Sequence, residues 1–515
     1  MQWLNQIVDE LIARHPDGEI LIETGSSPSG TYHFGHMREL LTADAILLEL
    51  RRRGRVARHV QFVDDLDALR KIPVNVPADF EQYLGKPICD IPAPDDSERS
   101  YADQFLQGLM DACQLLGVEV QYERAHLKYR DGWYAPAIER ALERVSQARQ
   151  ALETISGRQL DEHWTPIQVM ENGRLKNRKF LSIDTTAKTL MYEDAEGQPQ
   201  TAQYDKGEVK LDWRLDWPAR WWLQKVACEP SGRDHMTKGS SYDTGAQIVR
   251  DVFEAEPPYA VAYDFVNMVG DTKKMSASKG TGLDAVEGAS IIPPEVMRYF
   301  ILRAPASKRL YFDPVNSVMQ TMDEYAALSA KTDKTESEEQ LLYICNRGIE
   351  KQTVSRVPFS LLVASYQAAL KDPQHTLDII SRTAYAEVAE ADAEIIKAEL
   401  QFINTWLEKR APEDVKFSIE QAPNYLDELS GAQKQFLGQL ADKIAAAPAD
   451  ADGEWFHLAI YELKDSSGLS PKELFATLYR VLINKEHGPR AGWFLSILPR
   501  DKLLQRLRLD TSEPW

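Results

Sequence analysis

The sequence predicts an α/β protein: a parallel-sheet domain interrupted by an inserted β-rich segment and followed by an all-helical region. Three observations point there. Residues 19–65 read strand, helix, strand; residues 160–210 break into short β-prone runs between turn signals; and beyond about Pro294 the pattern stays helical.

The elements follow in chain order. "EILIETG" (19–25) is an apolar run ending in glycine, as a buried strand does. From Met37 to Arg53, residues Leu40, Leu41, Ala45 and Leu48 recur at helical spacing, and Gly54 stands where a helix C-terminus favours glycine. "RVARHVQFVDD" (55–65) is a second β-branched run, closing on Asp64 and Asp65. A parallel β-α-β unit places its ligand site beyond the carboxyl ends of its strands. Both the glycine-rich turn after residue 25 and the aspartates fall at that edge. Residues 99–155 read as helical, and Asn-Gly and Glu-Gly turns divide 160–210 into short β pieces. "LQKVACEP" and "YAVAYDFVNMVG" resume the strand pattern and complete the sheet. The polar run "SAKTDKTESEEQ" (329–340) reads as a linker or exposed helix end.

Composition narrows the class. A chain of 515 residues is expected to hold two to four domains, and 43% hydrophobic with 27% charged residues places it among globular proteins. No apolar run reaches the roughly 18 residues of a membrane helix. The opening "MQWLNQIVDELIARH" is an amphipathic helix pattern without the apolar core of a signal peptide. Cys89, Cys113, Cys228 and Cys345 lie far apart without a C-x-x-C pair. That fits a reducing cytoplasm and argues against a disulfide framework or a cysteine zinc site. A net charge of −19 disfavours non-specific nucleic-acid binding but leaves room for a local basic surface.

Two short stretches carry chemistry. In "SPSGTYHFGH" (27–36), Pro28 and Gly30 shape a tight turn, and Gly35 lets a flat group approach the backbone. His33 and His36 then sit at a helix N-terminus, where phosphates bind and growing charge is stabilised. Alone, the four residues H-x-G-H are equally a capping or packing pair. "GDTKKMSASKGTG" (270–282) brings Lys273, Lys274 and Lys279, cations able to close on a triphosphate; alone, it is equally a solvated lysine-rich loop. The two together, one after a strand and before a helix, make a nucleotide site the better reading.

"HFGH" and "KMSAS" resemble the two signature motifs of class I aminoacyl-tRNA synthetases. The surrounding stretches are similar to class I lysyl-tRNA synthetases in particular: "ETGSSPSG", "HFGHMRE", "DDLDALRKIP", "WRLDWPARW", "EPSGRDHMTKGSSYDTG", "KKMSASKG", "PPEVMRYFILR" and "LFATLYRVLINKEHGPRAG", in order across nearly the whole chain. The resemblance implies a Rossmann-like catalytic domain in two halves (1–95 and 213–295) around an inserted acceptor-end-binding region (96–212). A stem-contact junction (296–340) and a helical anticodon-binding domain (341–515) follow.

It also implies the reaction: L-lysine and ATP, with Mg2+, give lysyl-adenylate, and the lysyl group passes to the terminal adenosine of tRNA(Lys). His33, His36, Lys274 and Ser276 are implied as catalytic residues. Pro28, Gly30, Gly35, Gly239, Ser240, Met275 and Ser278 join them around ATP. Gly25, Ser27, Trp213, Asp234 and His235 fall where the family holds its amino acid. Asp65 and Asp67, just after the second strand, are the carboxylates expected to meet the lysine ammonium. Ala277 departs from the usual signature, which has a lysine in that place, so Lys274 carries the main charge with Lys273 or Lys279 assisting. Some relatives bind zinc in the inserted region; 160–210 contains no cysteine, and no structural zinc is expected.

Other readings of the residues stay open here. "WRLDWPARW" is also a packed aromatic anchor, and His235 also a buried structural histidine. "RRRGRVAR" (51–58) is a tRNA contact or the basic end of a surface helix. Lys485, His487 and Arg490 are candidate phosphate contacts, and Phe475, Tyr479 and Trp493 candidate stacking partners for unpaired bases. A stand-alone nucleotidyltransferase has no need of the long helical region, and a catalytically dead RNA-binding paralogue has no need of the intact signatures.

Overall fold

Parallel strands around one glycine-terminated centre set the architecture. The computed structural model describes residues 1–95, 97–270, 283–349, 352–419, 426–448 and 451–510. Helix α1 (Gln2–Arg14) precedes β1 (Ile20–Ser26), α2 (Met37–Arg52) and β2 (Ala57–Val63). Then come α3 (Tyr101–Leu116), β3 (Gln121–Arg124), α4 (Ala125–Arg130), α5 (Ala135–Glu143) and α6 (Val145–Ser156). Six short strands follow: β4 (Ile167–Glu171), β5 (Arg174–Lys176), β6 (Lys179–Asp184), β7 (Thr189–Glu193), β8 (Pro199–Gln203) and β9 (Val209–Leu211). Helix α7 (Trp213–Gln224) returns the chain to β10 (Cys228–Gly232), α8 (Ser241–Asp251) and β11 (Tyr259–Tyr263).

The central sheet has the order β11-β10-β1-β2-β3, and every neighbouring pair is parallel. The chain works outward from β1 to β2 and β3, then crosses to the other side for β10 and β11. The crevice between β1 and β10 is therefore the topological switch point, where open parallel sheets hold their ligands. The β1-α2-β2 reading from sequence holds, including Gly54 at φ +77° just after the helix. The β-rich segment is two three-stranded antiparallel sheets, β5-β4-β9 and β6-β7-β8.

Two boundaries differ from the sequence expectation. Strand β3 lies within 96–212, yet it pairs with β2 and belongs to the central sheet. The described chain also divides into two units: Met1–Ala289 with Met297–Phe312 and Thr335–Glu350, and Ser290–Val296 with Asp313–Lys334 and Lys351–Trp515. The helix Glu336–Cys345 thus belongs to the first unit. The polar stretch 329–340 is largely exposed, as expected of a linker or helix end, and the same helix then buries Leu341, Ile344 and Cys345.

Buried arginines bind the first unit together. Arg298 is fully buried; it donates to Asp44 Oδ2 at 2.6 Å and to the Ile344 carbonyl at 2.9 Å. Arg38, also fully buried, donates to the carbonyls of Ile301, Pro305 and Ala306. The run 51–58 is spent on the surface of its own unit. Arg51 pairs with Glu119, Arg52 with Glu49, Arg53 with Glu49 and Asp9, and Arg58 with Glu19. That is the helix-end reading of these residues.

The second unit is helical. Trp406 is fully buried and donates its indole N–H to the Pro314 carbonyl at 2.8 Å. Of the three rings expected to stack on bases, Tyr479 is buried and donates its hydroxyl to the Pro489 carbonyl, a packing role that removes it from that list. Phe475 is half-buried in a ring cluster with His457 and Tyr461, whose centroids lie 6.1 and 5.6 Å away. Trp493 and Arg490 line a cavity of about 610 Å³. Lys485 donates to the carbonyls of Glu413 and Lys416.

Two expected outcomes follow from this packing. Asp44→Ala leaves the Arg298 guanidinium buried without its carboxylate and is expected to cost about 3–5 kcal/mol, read as a lowered urea midpoint of the first unit. His59 on β2 is buried, with Nε2 2.8 Å from the Thr24 hydroxyl, and burial lowers its pKa to about 4. The folded state then refuses a proton that the unfolded chain accepts below about 6.5, so stability from this group is full above that pH and is lost as pH falls toward 4. Relative to His59→Gln, the wild-type protein is expected to lose up to about 2 kcal/mol between pH 7.5 and pH 5, measured by urea unfolding at both.

Candidate active site

The carboxyl ends of β1, β2, β10 and β11 open onto one cavity of about 400 Å³. Gly25 and Ser26 come from β1, and Asp64, Asp67 and Arg70 from the chain after β2. Glu229 to Gly232 come from β10, Asp234 and His235 from the turn behind it, and Tyr263 from β11. Helix α7 supplies Trp213, Asp216, Trp217 and Arg220; spacings of three and four residues put all four on one face. His36 and Glu39 close the wall from the start of α2.

The cavity is strongly acidic. Glu39, Asp64, Asp67, Asp216, Glu229 and Asp234 line it, against two arginines, Arg70 and Arg220. Arg220 is buried beneath it, 2.7 Å from Asp64 Oδ1, 3.5 Å from Glu23 and 3.8 Å from Asp216, with its guanidinium 4.2 Å from the centroid of the Phe62 ring. Glu23, on β1, is fully buried, and burial pushes its carboxyl up to about 8 against the pull of Arg220. Glu229 accepts both indole N–H groups of Trp217 and Trp221, at 3.0 and 3.1 Å; burial raises its pKa well above the usual carboxylate range. Glu39 accepts from the Gly25 backbone N–H and from the Tyr263 hydroxyl.

Asp216 behaves differently. Burial pushes its pKa up, but Lys210, Arg220 and the hydroxyl of Tyr129 outweigh it and hold the carboxyl below its usual range. Tyr134 donates to its other oxygen at 2.9 Å.

The sequence-derived residues fall into four groups. Gly25, His36, Asp67, Trp213, Asp234 and His235 come together in the cavity. Trp213 and Trp217 meet the His235 ring edge-on, with centroids 6.4 and 5.9 Å away. Ser27, Pro28, Gly30, His33 and Gly35 build the turn between β1 and α2. There the His33 N–H donates to His36 Nδ1 at 3.2 Å, and the two rings sit 4.0 Å apart. Gly239 and Ser240 stand at the N-terminus of α8, with the Gly239 N–H donating to Asp243. Lys274, Met275, Ser276 and Ser278 lie outside the described residues, as do Lys273 and Lys279.

Asp65 is the correction. It is fully buried and turned away from the cavity, taking Arg124 Nε, His126 Nδ1 and the His126 N–H. It anchors the end of β2 to the start of α4, while its neighbour Asp64 faces the cavity instead. Both aspartates lie beyond Val63, the last residue of β2, where no strand alternation sets which of the two looks inward.

Leu283 and Asp284, the first described residues after the second signature stretch, lie beside the first. The Phe34 N–H donates to the Leu283 carbonyl at 2.8 Å, and His33 forms an isolated bridge with Asp284. Gly288 lies against Phe34 so closely that a Cβ there would sit 2.6 Å from the ring. Among the described residues, no group of three or more His, Cys, Asp or Glu side chains is placed to hold a metal ion.

Arg220, Glu229, Glu39 and Tyr263 were missed in the sequence. The spacing of Asp216 and Arg220 on α7 was a signal for the first; a lone Glu in "CEP" or "RELL" offers none.

Residues 1–346 match the model of tRNA synthetases class I (K). The chain is 34% identical to lysine–tRNA ligase 1 of Methanosarcina acetivorans over 533 residues, covering 99% of this chain and 98% of that one. It is 33% identical to lysine–tRNA ligase of Archaeoglobus fulgidus over 515 residues, covering 99% of both. The corresponding protein of Pyrococcus horikoshii is 31% identical over 524 residues, covering 99% of this chain and all of that one. With a parallel sheet open at its switch point, paired histidines at the first turn and a match across two-thirds of its length, the chain belongs to the class I (K) tRNA synthetases.

Proposed function

We propose that this protein is a lysine–tRNA ligase: it activates L-lysine with Mg-ATP to lysyl-adenylate and transfers the lysyl group to the terminal adenosine of tRNA(Lys). The reading rests first on the acid-rich cavity at the switch point: with Glu229 kept in its acid form by burial, five carboxylates remain against Arg70, Arg220 and the buried Lys210 behind them, beside the paired histidines. A cationic amino acid gains from that field, whereas a glutamate side chain would bring a further negative charge into it. The cytoplasm is the compartment such an enzyme serves, and no helix among the described residues is long and apolar enough to cross a membrane.

The lysine carboxylate attacks the α-phosphorus of ATP; a P–O bond to the lysyl group forms as the bond to pyrophosphate breaks. The protein's part is positioning and charge stabilisation. Gly25, Trp213, Asp234 and His235 frame the amino acid, with Glu39 in the wall that meets its ammonium, while Asp67 is already paired with Lys210 at 3.1 Å. Ser27 and the turn through Pro28 and Gly30 present backbone to the nucleotide, and Gly239 and Ser240 flank the adenosine side. His36 Nδ1 lies 3.2 Å from the His33 backbone nitrogen and 3.0 Å from the His33 carbonyl, so the backbone of the turn holds the ring in place. His33, His36, Lys274 and Ser276 are the groups that stabilise charge on the phosphates, with Met275 and Ser278 beside them. Mg2+ enters with ATP as part of the substrate. The helical second unit, through Phe475, Trp493 and their neighbours, is the part that reads the anticodon.

Amino-acid-dependent ATP–pyrophosphate exchange tests this directly. Exchange is expected with L-lysine, with discrimination of about 10²-fold or more against L-glutamate, since the wrong side chain leaves buried charges unpaired. Comparable exchange with both would overturn the reading. His36→Ala and Lys274→Ala are expected to lower turnover by about 10²-fold with little change in the KM for lysine, the pattern of groups used chiefly in the transition state.

A further inference from the structure

Lys210 lies behind the cavity and plays no part in the chemistry above. It is the middle residue of β9, in the inserted β-rich segment, and is only 2% exposed. Its ammonium reaches out of that segment to two carboxylates of the cavity wall, Asp67 Oδ1 and Asp216 Oδ2, each at 3.1 Å. The ring of Tyr129 lies 5.7 Å from it, and Tyr129 and Tyr134, stacked at 3.8 Å, both donate to Asp216. The charge of Lys210 is therefore fixed by a dry, acidic cage one layer behind the place where a ligand ammonium must bind. Burial opposes that charge, but Asp216 and Asp67 outweigh burial and raise the pKa of Lys210 above its ordinary value.

We propose that Lys210 is a specificity-determining positioning residue: a resident ammonium that neutralises Asp67 and Asp216 and so restricts the cavity to a single ligand ammonium. The inference rests on the lysine-ligase reading. Two carboxylates lining one small cavity attract any primary amine that reaches them. With Lys210 in place, both have a tethered partner whose effective concentration no free amine matches. Without it, the carboxylates form a second cation hole beside the first. Small alkylammonium ions then gain a place to bind, and Asp67 and Asp216, no longer held by their tethered partner, leave the wall positions that shape the lysine site, which weakens lysine binding. The inserted segment thus contributes to amino acid selection through one side chain.

The experiment uses the full-length protein and Lys210→Ala, with lysine-dependent pyrophosphate exchange as the readout. The KM for lysine is expected to rise about 10-fold or more, with turnover at saturating lysine and the KM for ATP changed far less. Ethylammonium, which supplies the missing ammonium, is expected to bring the variant's KM back toward wild type while acting on wild type only as an inhibitor. A wild-type protein that fails to exchange with lysine overturns the ligase reading itself. A wild type that exchanges, beside a variant with unchanged KM or with an equal loss in turnover that ethylammonium does not repair, overturns the role of Lys210 alone. Should circular dichroism show Lys210→Ala unfolded, Lys210→Met, which keeps the apolar stem and loses only the ammonium, decides the matter. It is expected to fold with a raised KM for lysine, and a wild-type KM there overturns the proposal.

Discussion

Everything around the cavity depends on keeping one carboxylate, Asp216, ionised while almost completely removed from water. A bare carboxylate in that position is prohibitively costly, so its oxygens must be met by donors already in place. Tyr129 at the end of α4 and Tyr134 just before α5 give hydroxyls, β9 gives Lys210, and α7 gives Arg220 four residues on. Those donors arrive from separate parts of the chain. Their convergence ties the inserted β-rich segment, the helices after β3 and the tryptophan-rich helix to one point beneath the switch crevice. The acidity of the cavity is thus a product of the fold's own charge balance, since each wall carboxylate is set by what lies behind it.

The same logic divides the tryptophans of α7. Trp217 and Trp221 are packed as the aromatic-anchor reading had it, yet their N–H groups both point at Glu229 and hold that acid in the wall. Structural and functional readings of such a segment do not exclude one another. Trp213, one turn earlier on the same face, reaches the cavity surface, while Trp222 packs on Phe253 on the other side of the helix.

What could be read from sequence was whatever local periodicity or a short motif encodes. The first β-α-β unit, the switch from helical to hairpin patterns near residue 160 and the placing of His33 and His36 at a strand-to-helix turn are all of that kind. The rest depends on distant pairing. Strand β3 is only four residues with partly exposed side chains, so nothing in its own composition marks it as the sheet's edge. Asp64 and Asp65 are adjacent in the turn after β2, where no periodicity tells which of them lines the cavity, and it is Asp64 that does. Lys210 looks like any strand lysine until the carboxylates that enclose it, about 140 residues upstream and 6 downstream, are brought to it by the fold.

The Arg298 anchor has a consequence for how the protein is made. Asp44 leaves the ribosome early, but the guanidinium that balances it and the Ile344 carbonyl that shares the same arginine are translated some 250 to 300 residues later. At typical elongation rates of about 5–20 residues per second, that is an interval of roughly 15–60 s in which α2 carries an inward-facing acid without its cation. The first unit cannot reach its final packing as it emerges. It must wait for Arg298 and Ile344, so about two-thirds of the chain is made before the buried acid of α2 has its full set of partners.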